Sequence, residues 1–410
     1  ESSGGGIIFA TLLHKTIFPM KKSFLQFSAL GALALSLVAC NRNTDPEPDE
    51  PGEYRFVRLL VTDETTNQVS LVNPRDGKVE TFTAKFPKAS VYTTESGRFG
   101  VLIHRADNLV EKFDTGFEGH GDHVDLRGTP KWAAMTGEGK LPTHFASKGN
   151  EVAIFNDGDG SFDVGLESDF HKAGAKMQNV KPGNVAHHGA MMRFDNGTYA
   201  VTHKDGTIAG TLPERVKIVD KAGTVLHPST IATKGIHGDA TDGKVTLFGS
   251  ASGVLVVEQS GAQKLIPHPA SFGPAWFGTI LYAPAAKKFV GYTAAMGAYL
   301  IDPAANAITP VFESKDLMQL KVDYAGKNLV ALLHNGEARV YDLASNTLLK
   351  QGNVIPETAK DEKQKPTLVA TGKYLYLTQP KTGEVLQLDA STLAVAQKIK
   401  VSGTPYRISV

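Results

Sequence analysis

Gly326-Lys-Asn-Leu-Val-Ala-Leu-Leu-His-Asn-Gly-Glu-Ala-Arg-Val-Tyr-Asp342 and Gly372-Lys-Tyr-Leu-Tyr-Leu-Thr-Gln-Pro-Lys-Thr-Gly-Glu-Val-Leu-Gln-Leu-Asp389 are two copies of one pattern. Each opens on a turn, runs through a β-rich strand to a polar tip, returns in a second strand and closes on aspartate. Val, Leu, Tyr and Thr suit a pleated, half-buried backbone, whereas Gly, Asn, Asp and Pro interrupt it. Lys148-Gly-Asn-Glu-Val-Ala-Ile-Phe-Asn-Asp157 and Asp242-Gly-Lys-Val-Thr-Leu-Phe-Gly249 repeat the first half. Taking one equivalent residue from each second strand gives Val57, Val101, Val152, Tyr199, Val245, Phe289, Leu329 and Leu375. Their mean spacing is roughly 45 residues, the period of four-stranded propeller blades. A lone blade cannot bury both of its faces, so such units must stack around a channel. The sequence therefore predicts an all-β chain, a β-propeller of eight four-stranded blades. Seven is the alternative if one irregular unit is a long loop. The first unit, from Phe56, begins where the others have their second strand, and Gly403-Thr-Pro-Tyr-Arg-Ile-Ser-Val410 reads as an inner strand with nothing after it. The C-terminal strand should complete the first blade and close the ring, hiding both sheet edges. No Trp-Asp or kelch signature marks the repeats, so this reading rests on period.

Working outward, the 410 residues carry 43 Lys+Arg against 42 Asp+Glu, a net charge of +1. That balance argues against a nucleic-acid footprint or a polybasic membrane surface. A hydrophobic content of 41% with 41 glycines suits a soluble, turn-rich globular chain. The single cysteine excludes an intramolecular disulfide framework and any Cys-rich metal site. That residue, Cys40, follows a basic start at Met20-Lys21-Lys22 and an apolar run from Phe24 to Val38. The run has the build of a secretory signal and is shorter than the roughly 20 residues of a spanning helix. Leu37-Val-Ala-Cys40 resembles a bacterial lipobox, which implies cleavage before Cys40 and lipidation of its new N-terminus. The expected organisation is an upstream extension at 1–19, a lipoprotein signal peptide at 20–39, a flexible acidic, Pro-rich linker at 40–53 and the propeller at 54–410. The expected location is the periplasm or cell envelope, with the membrane met only through the lipid on Cys40.

The histidines are not scattered evenly. Thr143-His144-Phe145, Ala186-His187-His188-Gly189 and Ile236-His237-Gly238-Asp239 open the predicted inner strands of three consecutive units. Inner strands line the axis, so equivalent positions in neighbouring blades approach one another at one channel mouth. Just ahead lies His120-Gly-Asp122-His123, in a Gly-rich segment expected to fold over that mouth. Neutral imidazoles with a carboxylate suit Zn²⁺ in tetrahedral geometry, although imidazole also takes Cu and Ni. Any one of these histidines alone reads more simply as a residue bonding a turn or packing on the channel wall. Shared register in three units is what raises the set above that reading. His104, His203 and His334 fall on second strands or their tips, His171 in a long connection, and His227 and His268 each precede a proline.

These features together resemble the AztD family of periplasmic zinc metallochaperones. The resemblance is carried by Phe117-Glu-Gly-His-Gly-Asp-His-Val-Asp125, Gly183-Asn-Val-Ala-His-His-Gly189 and Gly235-Ile-His-Gly-Asp239, and covers about Arg55 to Val410. It implies a β-propeller that is a carrier and not an enzyme. Such a carrier binds Zn²⁺ outside the cytoplasm and passes it to the solute-binding protein of a zinc ABC transporter. The ligand role it implies falls on His120, Asp122, His123, His188 and His237, with His144 and His187 next. The lipobox departs from the family's ordinary signal peptide, and Cys40 to Tyr54 holds no His-rich stretch that would provide a second capture site.

Two other readings compete. Propellers also carry metal-assisted hydrolases such as lactonases, but the chain has no G-x-S-x-G elbow and no carboxylate pairs in repeat register. A lipid-anchored scaffold that binds another envelope protein fits the fold equally, because propellers host many functions.

Overall fold

The computed structural model describes residues 57–120 and 123–410. The signal peptide, Cys40, the linker and Asp122 lie outside the described residues. Eight four-stranded antiparallel sheets form the ring, in agreement with the eight-blade expectation. Numbering blades by their second strand, the inner strands of blades 2 to 8 are Ser90–Thr93, Pro142–Lys148, Met191–Arg193, Ile236–Thr241, Thr279–Ala283, Leu317–Val322 and Leu368–Ala370. Blade 1 takes its inner strand from the C-terminus: Pro405–Ser409 pairs antiparallel with Leu59–Asp63, Leu60 opposite Ser409 and Val61 opposite Ile408. Closure by the last strand is thus as the sequence predicts, and it satisfies backbone groups that would otherwise form two open edges.

The second strands are the most buried elements. Phe99–His104 and Glu151–Asn156 are buried at every position, because a central strand has a neighbouring blade on each face. The core is therefore a ring of apolar layers between blades. Leu247, Val254, Phe277, Ile280 and Tyr299 fill the layer between blades 5 and 6. Val330, Leu332, Leu375, Leu377 and Leu388 fill that between blades 7 and 8, and Leu59, Val72, Tyr376 and Ile408 fill the seam where the ring closes. Each such fully buried side chain contributes about 1.5–3 kcal/mol. The repeated aspartates have a local cause: Asp242, Asp302 and Asp389 each turn Oδ1 onto backbone N–H groups two and three residues on. Such bonds hold the turn that the strands need at that point.

All inner hairpin turns, those joining first to second strands, lie at one end of the channel. Neighbouring turns are linked around the ring. Glu95 N–H donates to Ser147 Oγ at 2.9 Å, Lys148 pairs with Asp195 at 2.8 Å, and Asp195 N–H donates to the Gly243 carbonyl at 2.8 Å. Ala285 N–H donates to Gly326 O at 3.1 Å, and Tyr324 N–H to Ala370 O at 2.8 Å. At this turn end Gly97 has φ of 71°, and a Cβ there would meet the Tyr324 hydroxyl at 2.6 Å. The opposite end, where inner strands begin, is the mouth.

Candidate metal centre

Three imidazoles meet at the mouth. His144 is the third residue of the inner strand of blade 3 and His237 the second residue of that of blade 5. His188 comes from the connection just ahead of Met191–Arg193 in blade 4, so it precedes its inner strand and does not open it. The ring centroids of His144 and His188 are 5.0 Å apart, those of His188 and His237 5.1 Å, and those of His144 and His237 5.8 Å. One nitrogen from each ring lies within 4.8 Å of the other two. Nitrogens about 2.1 Å from one tetrahedral ion stand about 3.4 Å apart, so modest side-chain rotation brings the set onto a single ion. Among the described residues this is the one group of three or more His, Cys, Asp or Glu with such geometry.

Each ring is oriented from behind. Gly278 O lies 2.6 Å from His237 Nδ1; a carbonyl only accepts, so Nδ1 carries the proton and Nε2 keeps its lone pair. Asp157 Oδ2 accepts from His188 Nδ1 at 2.7 Å and from an Arg105 N–H at 3.0 Å, which leaves His188 Nε2 free in the same way. Arg105 also donates to Thr143 Oγ1 at 3.1 Å. His144 has the loosest partner, Asp239 Oδ1 at 3.8 Å from Nδ1. A ligand's second nitrogen held by a carboxylate or carbonyl fixes its tautomer and raises its basicity.

The surroundings divide the three by charge preference. Burial lowers the His237 pKa, and the neighbouring His144 and His188 add to this, so His237 is held neutral. Burial acts against charge on His144 too, but the Asp239 carboxylate outweighs it and raises the pKa above the ordinary value. Burial would raise the Asp157 pKa; hydrogen bonds from His188 and Arg105 overcome it and keep the carboxyl ionised at lower pH.

His187, an expected ligand, does not join this set. His187 is 2% exposed, with Nδ1 on the Val185 carbonyl at 2.8 Å, Nε2 on Thr202 Oγ1 at 3.0 Å and its ring against Phe155. Both nitrogens are used in packing blade 3 on blade 4. The strands on either side of Gly121 and Asp122 do not lie over the mouth, where the sequence had placed this segment. His120 and His123 end the strands Phe117–His120 and His123–Leu126, a two-stranded ribbon in which they pair directly. Gly119 N–H bonds Ser96 O in the inner hairpin turn of blade 2 at 2.8 Å, so the ribbon stands at the turn end. The ribbon backbone and His144 thus stand toward opposite ends of the inner strands, with roughly 13 Å from His144 to the turn after Lys148 at about 3.3 Å per residue. His104 and His171 each meet one carboxylate, Glu111 at 2.9 Å and Asp114 at 2.6 Å.

Sequence reasoning missed Asp157, Arg105 and the Gly278 carbonyl. Asp157 sits in Asn156-Asp-Gly-Asp-Gly160, whose composition reads as a turn and hides the second role of its carboxylate. The Gly278 carbonyl leaves no side-chain signal.

No family model matches the chain. It is 25% identical over 372 residues to the zinc chaperone AztD of Citrobacter koseri, spanning 86% of this chain and 85% of that protein. The crystal structure of Citrobacter koseri AztD superposes with a TM-score of 0.76 at 22% identity, covering 86% of this chain and 96% of that one. Its apo structure gives 0.75 with the same identity and coverage. The dihydro-heme d1 dehydrogenase NirN in complex with DHE is more distant, with a TM-score of 0.58 at 13% identity over 86% of this chain and 74% of that one. The resemblance to AztD carried by the histidine motifs thus extends along the whole propeller, and the structural matches carry the fold.

Proposed function

We propose that this chain is a zinc-binding metallochaperone working outside the cytoplasm, with His144, His188 and His237 as the ligands that hold the ion in transit. The observation that carries the reading is the convergence of these rings from three blades to within 4.8 Å, supported by similarity to a protein named as a zinc chaperone. Three imidazoles held from separate blades leave a fourth tetrahedral position open. A donor from an acceptor protein enters there, and the imidazoles then leave one by one. The acceptor is the solute-binding protein of a zinc ABC transporter. Lipidation at Cys40 tethers the propeller to the envelope and sets the encounter at the membrane surface. The function is carriage, not catalysis.

A chelator competition titration on metal-stripped protein tests this. Wild type takes up zinc in competition with the chelator, and then loads a metal-free solute-binding protein faster than the chelator does at equal free zinc. Absence of zinc uptake, or uptake unaltered in His188→Ala/His237→Ala, removes the reading.

A further inference from the structure

None of the three mouth histidines is fixed by the regular ladder of its sheet. His144 falls where its inner strand slips against the second strand, between Pro142 opposite Asn156 and Phe145 opposite Ile154. His237 falls in the matching slip of blade 5, between Ile236 opposite Ser250 and Asp239 opposite Phe248. His188 precedes its strand altogether. Such bulges re-aim a side chain and leave its backbone to be held by another element. For His188 and His237 that element is a single loop, residues 204–214, which joins Tyr199–His203 to Arg215–Val219 at the mouth end of blade 4.

The loop reaches both ligands through its backbone. Thr211 O accepts from the His188 N–H at 2.8 Å, and Pro213 O accepts at 2.8 Å from the N–H of Ile236, the residue before His237. Glu214 O accepts from the Thr233 N–H at 2.8 Å and from its hydroxyl at 2.9 Å. Ile208 and Leu212 lie so close to Gly235 that a Cβ there would meet each at 3.4 Å. At the centre of the loop is a carboxylate sealed from water, since Glu214 is 0% exposed. Its Oε1 accepts from Lys204 Nζ at 2.9 Å and from the Ile208 N–H at 3.2 Å, and its Oε2 from the Asp205 N–H at 2.9 Å. Lys204 Nζ also donates to the Ile208 and Leu212 carbonyls at 3.2 and 3.1 Å. Ammonium and carboxylate are thus committed to each other and to the loop's own backbone.

We propose that Glu214, clasped by Lys204, is a positioning residue of the metal site: it sets the shape of the loop whose carbonyls fix the separation of His188 and His237. The inference rests on the zinc reading above and adds to it a residue that donates no ligand. A holding site must keep its ligands close to their productive geometry, and the rings of His188 and His237 already stand 5.1 Å apart. Removing one charge of a buried pair leaves the other unmatched. The loop then relaxes and the two imidazoles lose their common register, while His144 stays with blade 3.

Glu214→Gln tests this with two independent readouts. In metal-free protein, backbone amide exchange should speed up about tenfold or more at His188 and Ile236, with the amides of the central strand Asn328–Leu333 unchanged. Zinc affinity by chelator competition should fall about 10- to 100-fold, as for other groups that orient ligands from behind. Arg98→Gln, which breaks the 2.7 Å ion pair with Asp114 at the turn end, is the control: it should lower the melting temperature and leave the affinity as it is. If Glu214→Gln does not fold, Lys204→Gln, whose amide still donates to Glu214, carries the same prediction with a smaller loss. Unchanged exchange at His188 and Ile236, wild-type affinity in the variant, or an equal loss in Arg98→Gln overturns the proposal. A wild type that takes up no zinc removes the function reading instead, and the exchange readout still decides this one.

Discussion

At the mouth of the channel, His144, His188 and His237 arrive from three blades, and a separate neighbour stands behind each ring. At the turn end, His120 and His123 arrive from one ribbon and are neighbours simply because they flank a short connection. The first set exists only when the ring has closed and the inner strands have reached their common axis. The second needs a single hairpin, rooted by Arg127 on Glu118 at 2.6 Å, Arg98 on Glu118 at 3.4 Å and Arg58 over the Phe117 ring at 4.2 Å. A metal site assembled from rigid, separate elements is preorganised, whereas ligands on one local ribbon are brought together by chain connectivity alone. The difference separates a holding site, which depends on the whole fold, from a segment whose contribution to that site should be small.

The largest expected effect is at the holding site. His237→Ala should weaken zinc binding by more than about 100-fold, exceeding what loss of an outer partner causes, as read by chelator competition. Asp157→Asn comes next. Losing the ionised acceptor behind His188 should cost about 10- to 100-fold in affinity, with the melting temperature of the metal-free protein nearly unchanged.

Acidity gives a third handle. Zinc binds neutral imidazole, and the raised pKa of His144 makes it the first of the two shifted rings to take a proton as pH falls. Affinity should therefore begin to drop above the ordinary histidine value near 6.5. Asp239→Asn removes the cause of the rise, so the midpoint of the pH profile should move to lower pH. The smallest effect is expected for His120→Ala/His123→Ala, which should change the mouth affinity by less than about twofold, the scatter of a site with no shared contacts. A large loss there would erase the distinction between the two ends.

The sequence carried the mouth and misplaced the ribbon for one reason. His144 and His237 each lie eight residues before their second-strand anchor, so the repeat itself transports them to matching places. The ribbon is an insertion between the third strand, Leu109–Asp114, and the fourth, Lys131–Trp132, of blade 2. Period says nothing about which way an insertion turns, and proximity in sequence to blade 3 suggested the wrong end. His187 and His188 show the limit of motif reading at single-residue scale: backbone direction sends one ring into the seam with Phe155 and the other into the channel. Asp157 and Gly278 reach the site through backbone placement across blades, which no local pattern records.

X-ray absorption at the zinc edge of protein loaded with one equivalent of zinc puts the central claim to its most direct test. The account predicts three imidazole nitrogens near 2.0–2.1 Å and one further light ligand, with the imidazole scattering reduced in His144→Ala. A spectrum with two imidazoles or fewer, or one left unchanged when any of the three mouth histidines is replaced, would contradict it.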